Sequence, residues 1–220
     1  MKESIPPLYK KIVPLNPVEH EGLFVKDKGR FEYARHIKAV PIVVTEIPRI
    51  APHYEIVFGP EGDAWPYAML EKEDGTSRYV QENGDWEYGI YIPAFLRRYP
   101  FMFIDDPVTE QLTLGIDPAG ANGEDGWPLF FPDMRPADIT KDVLEFCKSF
   151  YAGTWSTERF AKEVDKSGLL KGIEDNGDGL RYIDKVPVMG LSADQWESLD
   201  DEQLMKWLVD MFVTGTDTSN

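Results

Sequence analysis

YEIVFGPEGDAWPYAML, residues 54–70, decides how this chain is to be folded. Two β-favouring runs, YEIVF and WPYAML, stand on either side of a segment rich in glycine and proline, which is turn chemistry. The pattern repeats outward. AVPIVV precedes it, and SRYV, FMFID and QLTLGID follow, so Ala39 to Leu114 reads as an antiparallel meander. Asp74-Gly75 and Asn83-Gly84 are hairpin signals of the kind that type I′ turns favour, with φ > 0 at both central residues. Pro48 and Pro52 limit TEIPRIAPH, residues 45–53, to a short irregular helix or turn between strands.

The second half of the chain changes period. The loop DPAGANGEDGWP, residues 117–128, carries three glycines and two prolines and divides strands from helices. Thr140 can cap a helix bearing Val143, Leu144, Cys147, Phe150 and Tyr151 at helical spacing. A second helix is predicted from Ser156, with Trp155 and Phe160 as a hydrophobic staple and Gly168 as the stop. A third starts at Asp200, where Gln203 completes a capping box before the stripe Leu204, Met205, Trp207, Leu208, Met211 and Phe212. LRYI and KVPVMG, between the helices, can return to the sheet. The fold class is α+β: an antiparallel meander or sheet of about five to seven strands, followed by C-terminal helices packed on one face. In domain terms, residues 1–35 form an extended arm with a short strand near KKIVPLN. Residues 36–213 form a single domain, mainly β over 36–117 and mainly α over 138–213, and 214–220 a disordered tail.

Composition narrows the function classes. The net charge is −16, unevenly spread: residues 1–50 hold 9 basic against 6 acidic side chains, leaving 14 against 33 in the rest. Such an acidic body repels phosphate backbones and anionic lipid, so neither nucleic acid nor a membrane surface is an expected partner. The single cysteine, Cys147, excludes an internal disulfide and cysteine-rich zinc patterns. The opening MKESIPPLYKKIVPLN has charges but no apolar core, and no run approaches the roughly 18 apolar residues of a membrane span, so the expected location is the cytoplasm.

VPLNPVEH, FEYARHIKAVPIVVTE, YEIVFG, YIPAFLRRYPF and the later SGLL together resemble the SapC family of bacterial proteins, across about Val13 to Phe212. The resemblance implies association with cell-envelope systems such as surface layers, and no agreed reaction or cofactor. The expected function is therefore a non-catalytic accessory or interaction protein of an envelope system, with a protein partner. The alternatives are a surface-layer component exported by a non-classical route, and an enzyme or binder of a small anion, sugar or peptide.

The most specific element, YIPAFLRRYPF, residues 91–101, sets Arg97 and Arg98 inside an apolar run. Pro93 and Pro100 leave room for about one and a half helical turns, with Phe95, Leu96 and Tyr99 on one face. Structurally, the arginines would lay their stems on apolar surface and pair with Asp105 or Asp106. Functionally, they would clamp a carboxylate or phosphate, with Tyr91, Tyr99 and Trp86 as the surrounding ligand-binding aromatics. Ten of the chain's 28 aromatic residues fall within 65–103, at spacings that suit a sheet core. No catalytic residue is assigned, since GxSxG, GxxxxGK[ST] and GxGxxG are all missing and Cys147 lies on a buried stripe. No cofactor or metal is assigned either. His20, His36 and His53 lack ligand spacing and read as partly exposed, while EDNGDG, residues 174–179, would place Lys185 where a calcium loop needs glutamate.

Overall fold

The computed structural model describes residues 8–25, 30–105, 111–121, 126–166, 170–172 and 181–183. Its strands are β1 (Val13–Pro14), β2 (Phe24–Val25), β3 (Ala39–Pro41), β4 (Ile56–Phe58), β5 (Pro66–Met69), β6 (Phe101–Asp105), β7 (Leu112–Ile116), β8 (Trp127–Pro128), β9 (Leu170–Gly172) and β10 (Arg181–Ile183). The helices are α1 (Ile47–Ile50), α2 (Ala94–Arg97) and α3 (Asp138–Lys166). The α+β class holds and every pairing is antiparallel. Among the described residues the strands nevertheless make three sheets instead of one meander. The chain divides into two compact units, residues 1–37 with 72–151, and residues 38–71 with 152–220.

The first unit holds β1-β7-β6 and the β2-β8 pair. Its core gathers Val25, Phe101, Leu114, Ile116, Ala121, Leu129, Val143 and Cys147. The thiol is thus buried packing, as its place on the helical stripe suggested. Both glycine dipeptides do make turns, but of another type than expected. Lys72 N donates to Thr76 O and Gly75 N to Lys72 O; Gln81 N donates to Asp85 O and Gly84 N to Gln81 O. Only the glycines have positive φ, 79° and 87°, so Asp74 and Asn83 sit inside type I turns and each glycine closes a bulge.

The second unit is built on the opening stretch. Ile56 pairs with Ala68 and Phe58 with Pro66, inside the sheet β3-β5-β4-β10-β9. β10 is the RYI part of the expected returning strand; KVPVMG lies outside the described residues. TEIPRIAPH folds into a 3-10 turn, Val44–Glu46, running into α1, as its prolines required.

Two separate helices were expected where α3 runs unbroken. Thr140, Val143, Cys147, Phe150, Thr157, Phe160, Ala161 and Val164 are all buried, and half-buried Gly153 and Thr154 bridge the seven-residue step from Phe150 to Thr157, so one stripe at helical spacing passes straight through the supposed break. Thr140 is not a cap but a first-turn residue whose hydroxyl donates to Leu129 O at 2.6 Å. The staple is absent because Trp155 is 69% exposed while Phe160 is fully buried near Phe58. Thr157 Oγ1 donates to Gly153 O and accepts from Val44 N, which ties this half of α3 to the segment before α1. Lys141–Asp138, Lys148–Glu145, Lys162–Glu158 and Lys166–Glu163 pair along the solvated side. Gly168, the helix expected from Asp200, EDNGDG and the tail lie outside the described residues.

Candidate functional site

α2 is as short as its flanking prolines demanded, with Pro93 just before it and Pro100, preceded by a cis peptide bond, just after. Phe95 and Leu96 are buried, and the two arginines diverge. Arg97 Nε donates to Ile92 O at 2.9 Å and Nη2 to Tyr91 Oη at 2.8 Å. Its guanidinium carbon lies 5.2 Å from the Tyr91 ring centre and 4.8 Å from that of Phe146. The Arg98 guanidinium lies 4.6 Å from Phe95, 4.4 Å from Phe150 and 5.9 Å from Tyr9. Among the described residues its buried Nε has no acceptor, so ring faces are what it meets there. The expected carboxylate partners take no part among the described residues: Asp105 is exposed at the end of β6, and Asp106 lies outside them.

Arg98 braces one end of an aromatic ladder through Tyr9. Tyr99 packs 4.7 Å from Tyr33 and 5.3 Å from Tyr9. Tyr33 meets Phe31, Phe31 meets Trp86, and Trp86 stacks on Tyr79 at 5.7 Å and 19°. Trp86, 8% exposed, therefore joins the arginine cluster through Phe31 and Tyr33. Tyr9 Oη donates to Phe101 O at 2.9 Å and Tyr33 Oη to Leu96 O at 3.0 Å. Burial pushes both phenols well above their ordinary pKa, with the nearby Arg98 pulling Tyr9 part of the way back. Tyr99 is raised as well, first by burial and then by the Asp117 carboxylate.

Sequence reading missed Tyr9 and Tyr33 because they belong to the first 35 residues, and the missing signal was the tyrosines themselves in a segment read as an arm. It also read His20 as partly exposed. That ring is 4% exposed, with Nδ1 within 3.1 Å of the Asn16 amide and 2.9 Å of its carbonyl. Among the described residues no three His, Cys, Asp or Glu side chains gather to hold a metal, and no helix is long and apolar enough to cross a membrane.

The surface of the same unit carries a different feature. Trp127, Phe131 and Met134 are 59%, 38% and 55% exposed, within eight residues. Phe131 N donates to Arg135 O and Met134 N to Phe131 O, and the flanking Phe130 and Pro136 form a β-bridge. This is a turn tip, initiated by Pro132-Asp133. Arg135 Nε pairs with Asp133 Oδ2 at 2.6 Å, and its guanidinium lies 5.7 Å from the Phe131 ring.

The family profile described as SapC matches residues 15–215. The chain belongs to the SapC family. A search of curated proteins and a search of solved structures returned no match. The SapC match includes α2 with Arg97 and the following Arg98, the tyrosines at 33 and 99, Trp127 and the tip at 131–135, while Tyr9 lies before it.

The packing sets an expected result for this SapC element. Lysine at 97 keeps the charge but cannot bridge Ile92 O and Tyr91 Oη with one planar fork. Arg97→Lys should cost about 1–2 kcal/mol, lowering Tm by about 2–8 °C. Calorimetry showing an unchanged Tm would mean that the fork is not bracing the turn. Removing both guanidinium groups should destabilise the unit further, so an Arg97→Ala, Arg98→Ala chain cannot serve as a folded binding control.

Proposed function

We propose that this SapC-family chain is a non-catalytic interaction protein that acts in the cytoplasm as an accessory to a bacterial envelope system. One observation carries the reading: three large apolar side chains close in sequence, Trp127 on β8 and Phe131 and Met134 on the turn that follows, are exposed, while most of the other aromatic side chains among the described residues are not. Folding gains nothing from apolar surface left in water, and clustered aromatic and thioether side chains with an arginine beside them are what protein interfaces use. The envelope association rests on the family resemblance. Cytoplasmic location is supported by the single cysteine, Cys147, which is buried and cannot close an internal disulfide.

Capture of the tagged full chain from native lysate should return a reproducible protein partner, and fractionation of intact cells should place the chain with the soluble cytoplasmic proteins. No reproducible partner would overturn the interaction reading. Recovery on the cell surface would favour a surface-layer component instead.

A further inference from the structure

The turn at Phe131–Arg135 has two close relatives in the same unit, which makes it possible to ask what is unusual about it. Lys72–Thr76 and Gln81–Asp85 use the same two hydrogen bonds, and each places glycine at the position where φ is positive, Gly75 at 79° and Gly84 at 87°. In the third turn that position is Met134, at φ 64°, the one left-handed residue other than glycine among the described residues. A Cβ is disfavoured there, and glycine is the residue this chain uses twice for the same geometry. The methionine is also 55% exposed, so most of its side chain contributes nothing to packing the unit. A side chain retained against backbone preference and directed into solvent is explained by something outside the chain that receives it.

We propose that Met134 and Phe131 form a rigid apolar knob that seats in a socket on a partner protein, the socket being apolar at its base and rimmed by basic residues. This rests on the interaction reading above and names the site and the partner's chemistry. The knob itself is close to neutral because Arg135 offsets Asp133. The rest of the chain is not: it holds 39 acidic against 23 basic residues. That field attracts a cationic rim, repels a second copy of this acidic chain, and repels an anionic lipid surface. A turn of fixed shape also suits a socket of fixed shape, and polarizable methionine beside an aromatic ring fills such a base well.

The test uses the full chain in cells, with Met134 replaced by a photoreactive diazirine amino acid and the same probe at Tyr88, 95% exposed on another turn, as control. Irradiation should give an adduct at position 134 well above the control, and the peptide carrying it should contain or adjoin basic residues. The protein so identified, once purified, should bind the unmodified chain, with association slowing about tenfold as salt rises from about 0.05 to 0.5 M. Met134→Gly is the decisive variant. It suits the left-handed position, so Tm should hold or rise by up to about 3 °C. Affinity should nevertheless fall at least about tenfold, and Phe131→Ser should weaken it similarly. Adducts dominated by a second copy, by lipid, or by nothing above the control would overturn the proposal, as would undiminished affinity in Met134→Gly. If whole-chain capture returns a partner that position 134 never touches, the interaction reading stands and this assignment falls; if neither finds a partner, both fall.

Discussion

Raising the pH past about 10 is expected to unfold this protein steeply. Tyr9 is buried and Tyr33 half-buried, with their hydroxyls on main-chain carbonyls, and a carbonyl can accept a hydrogen bond but not a proton. In the unfolded chain each phenol ionises near its ordinary value of 10.0. In the folded chain burial holds both protonated to higher pH. Above pH 10 the unfolded state therefore binds fewer protons than the folded state, and stability falls as pH rises. The stabilising contribution is fully present below pH 10 and is lost between there and the raised folded values. Each phenol adds a slope of up to about 1.4 kcal/mol per pH unit, so the pair gives about 3 kcal/mol per unit. Set against a total stability of about 5–15 kcal/mol, one to two pH units would remove much of it. Thermal unfolding followed by circular dichroism from about pH 8 to 11.5, with tyrosinate absorbance recorded in parallel, measures this. Tm should be level to about pH 9 and then drop, with part of the tyrosinate signal appearing only on unfolding. Tyr33→Phe should flatten the drop by about half. A level Tm, or complete tyrosinate formation in the folded protein near pH 10, would show that these rings are not sealed in.

What made the fold legible was local chemistry. The β-branched and aromatic runs of residues 54–70 gave β4 and β5 in their true pairing, and Pro93 and Pro100 fixed the length of α2. The type of the glycine turns was not legible, because Asp-Gly and Asn-Gly fit two geometries and only the flanking hydrogen bonds choose between them. The continuity of α3 was legible but overruled: Ser156 resembles a cap, yet the apolar steps through Phe150, Thr157 and Phe160 never lose register. The arginine cluster was half legible. Two guanidinium groups amid aromatics pointed to α2, but Tyr9, Phe146 and Phe150 come from segments distant in sequence, and local pattern carries no information about which rings converge. The apolar tip was the least readable. Exposure is a tertiary property, and nothing in FFPDMRP says that Phe131 and Met134 face solvent.

Asp117→Ala is expected to be the most damaging single truncation of a polar side chain in the first unit. Asp117 is fully buried just after β7. One carboxylate oxygen accepts from Ala119 N at 3.0 Å, and the other accepts from Lys10 N at 2.7 Å, 107 residues away in sequence. Alanine would leave both amides without their acceptor, at about 1–3 kcal/mol each. Tm should therefore fall by about 5–15 °C. An asparagine side chain could still accept one of the two bonds but would turn its NH2 group toward the other donor, so Asp117→Asn should land between wild type and alanine. A second readout separates this from generic loss of packing. The Asp117 carboxylate is one of the causes that raise Tyr99, after burial, so removing it should move the Tyr99 phenol down toward its ordinary value in protein that is still folded. A Tm within about 2 °C of wild type would mean that the N-terminal segment is held without this carboxylate. The tie matters because Lys10 follows Tyr9: once its amide is released, the Tyr9 ring keeps its hydrogen bond to Phe101 O but loses the main-chain anchor beside it, and the ladder is loosened at the end where Arg98 is packed.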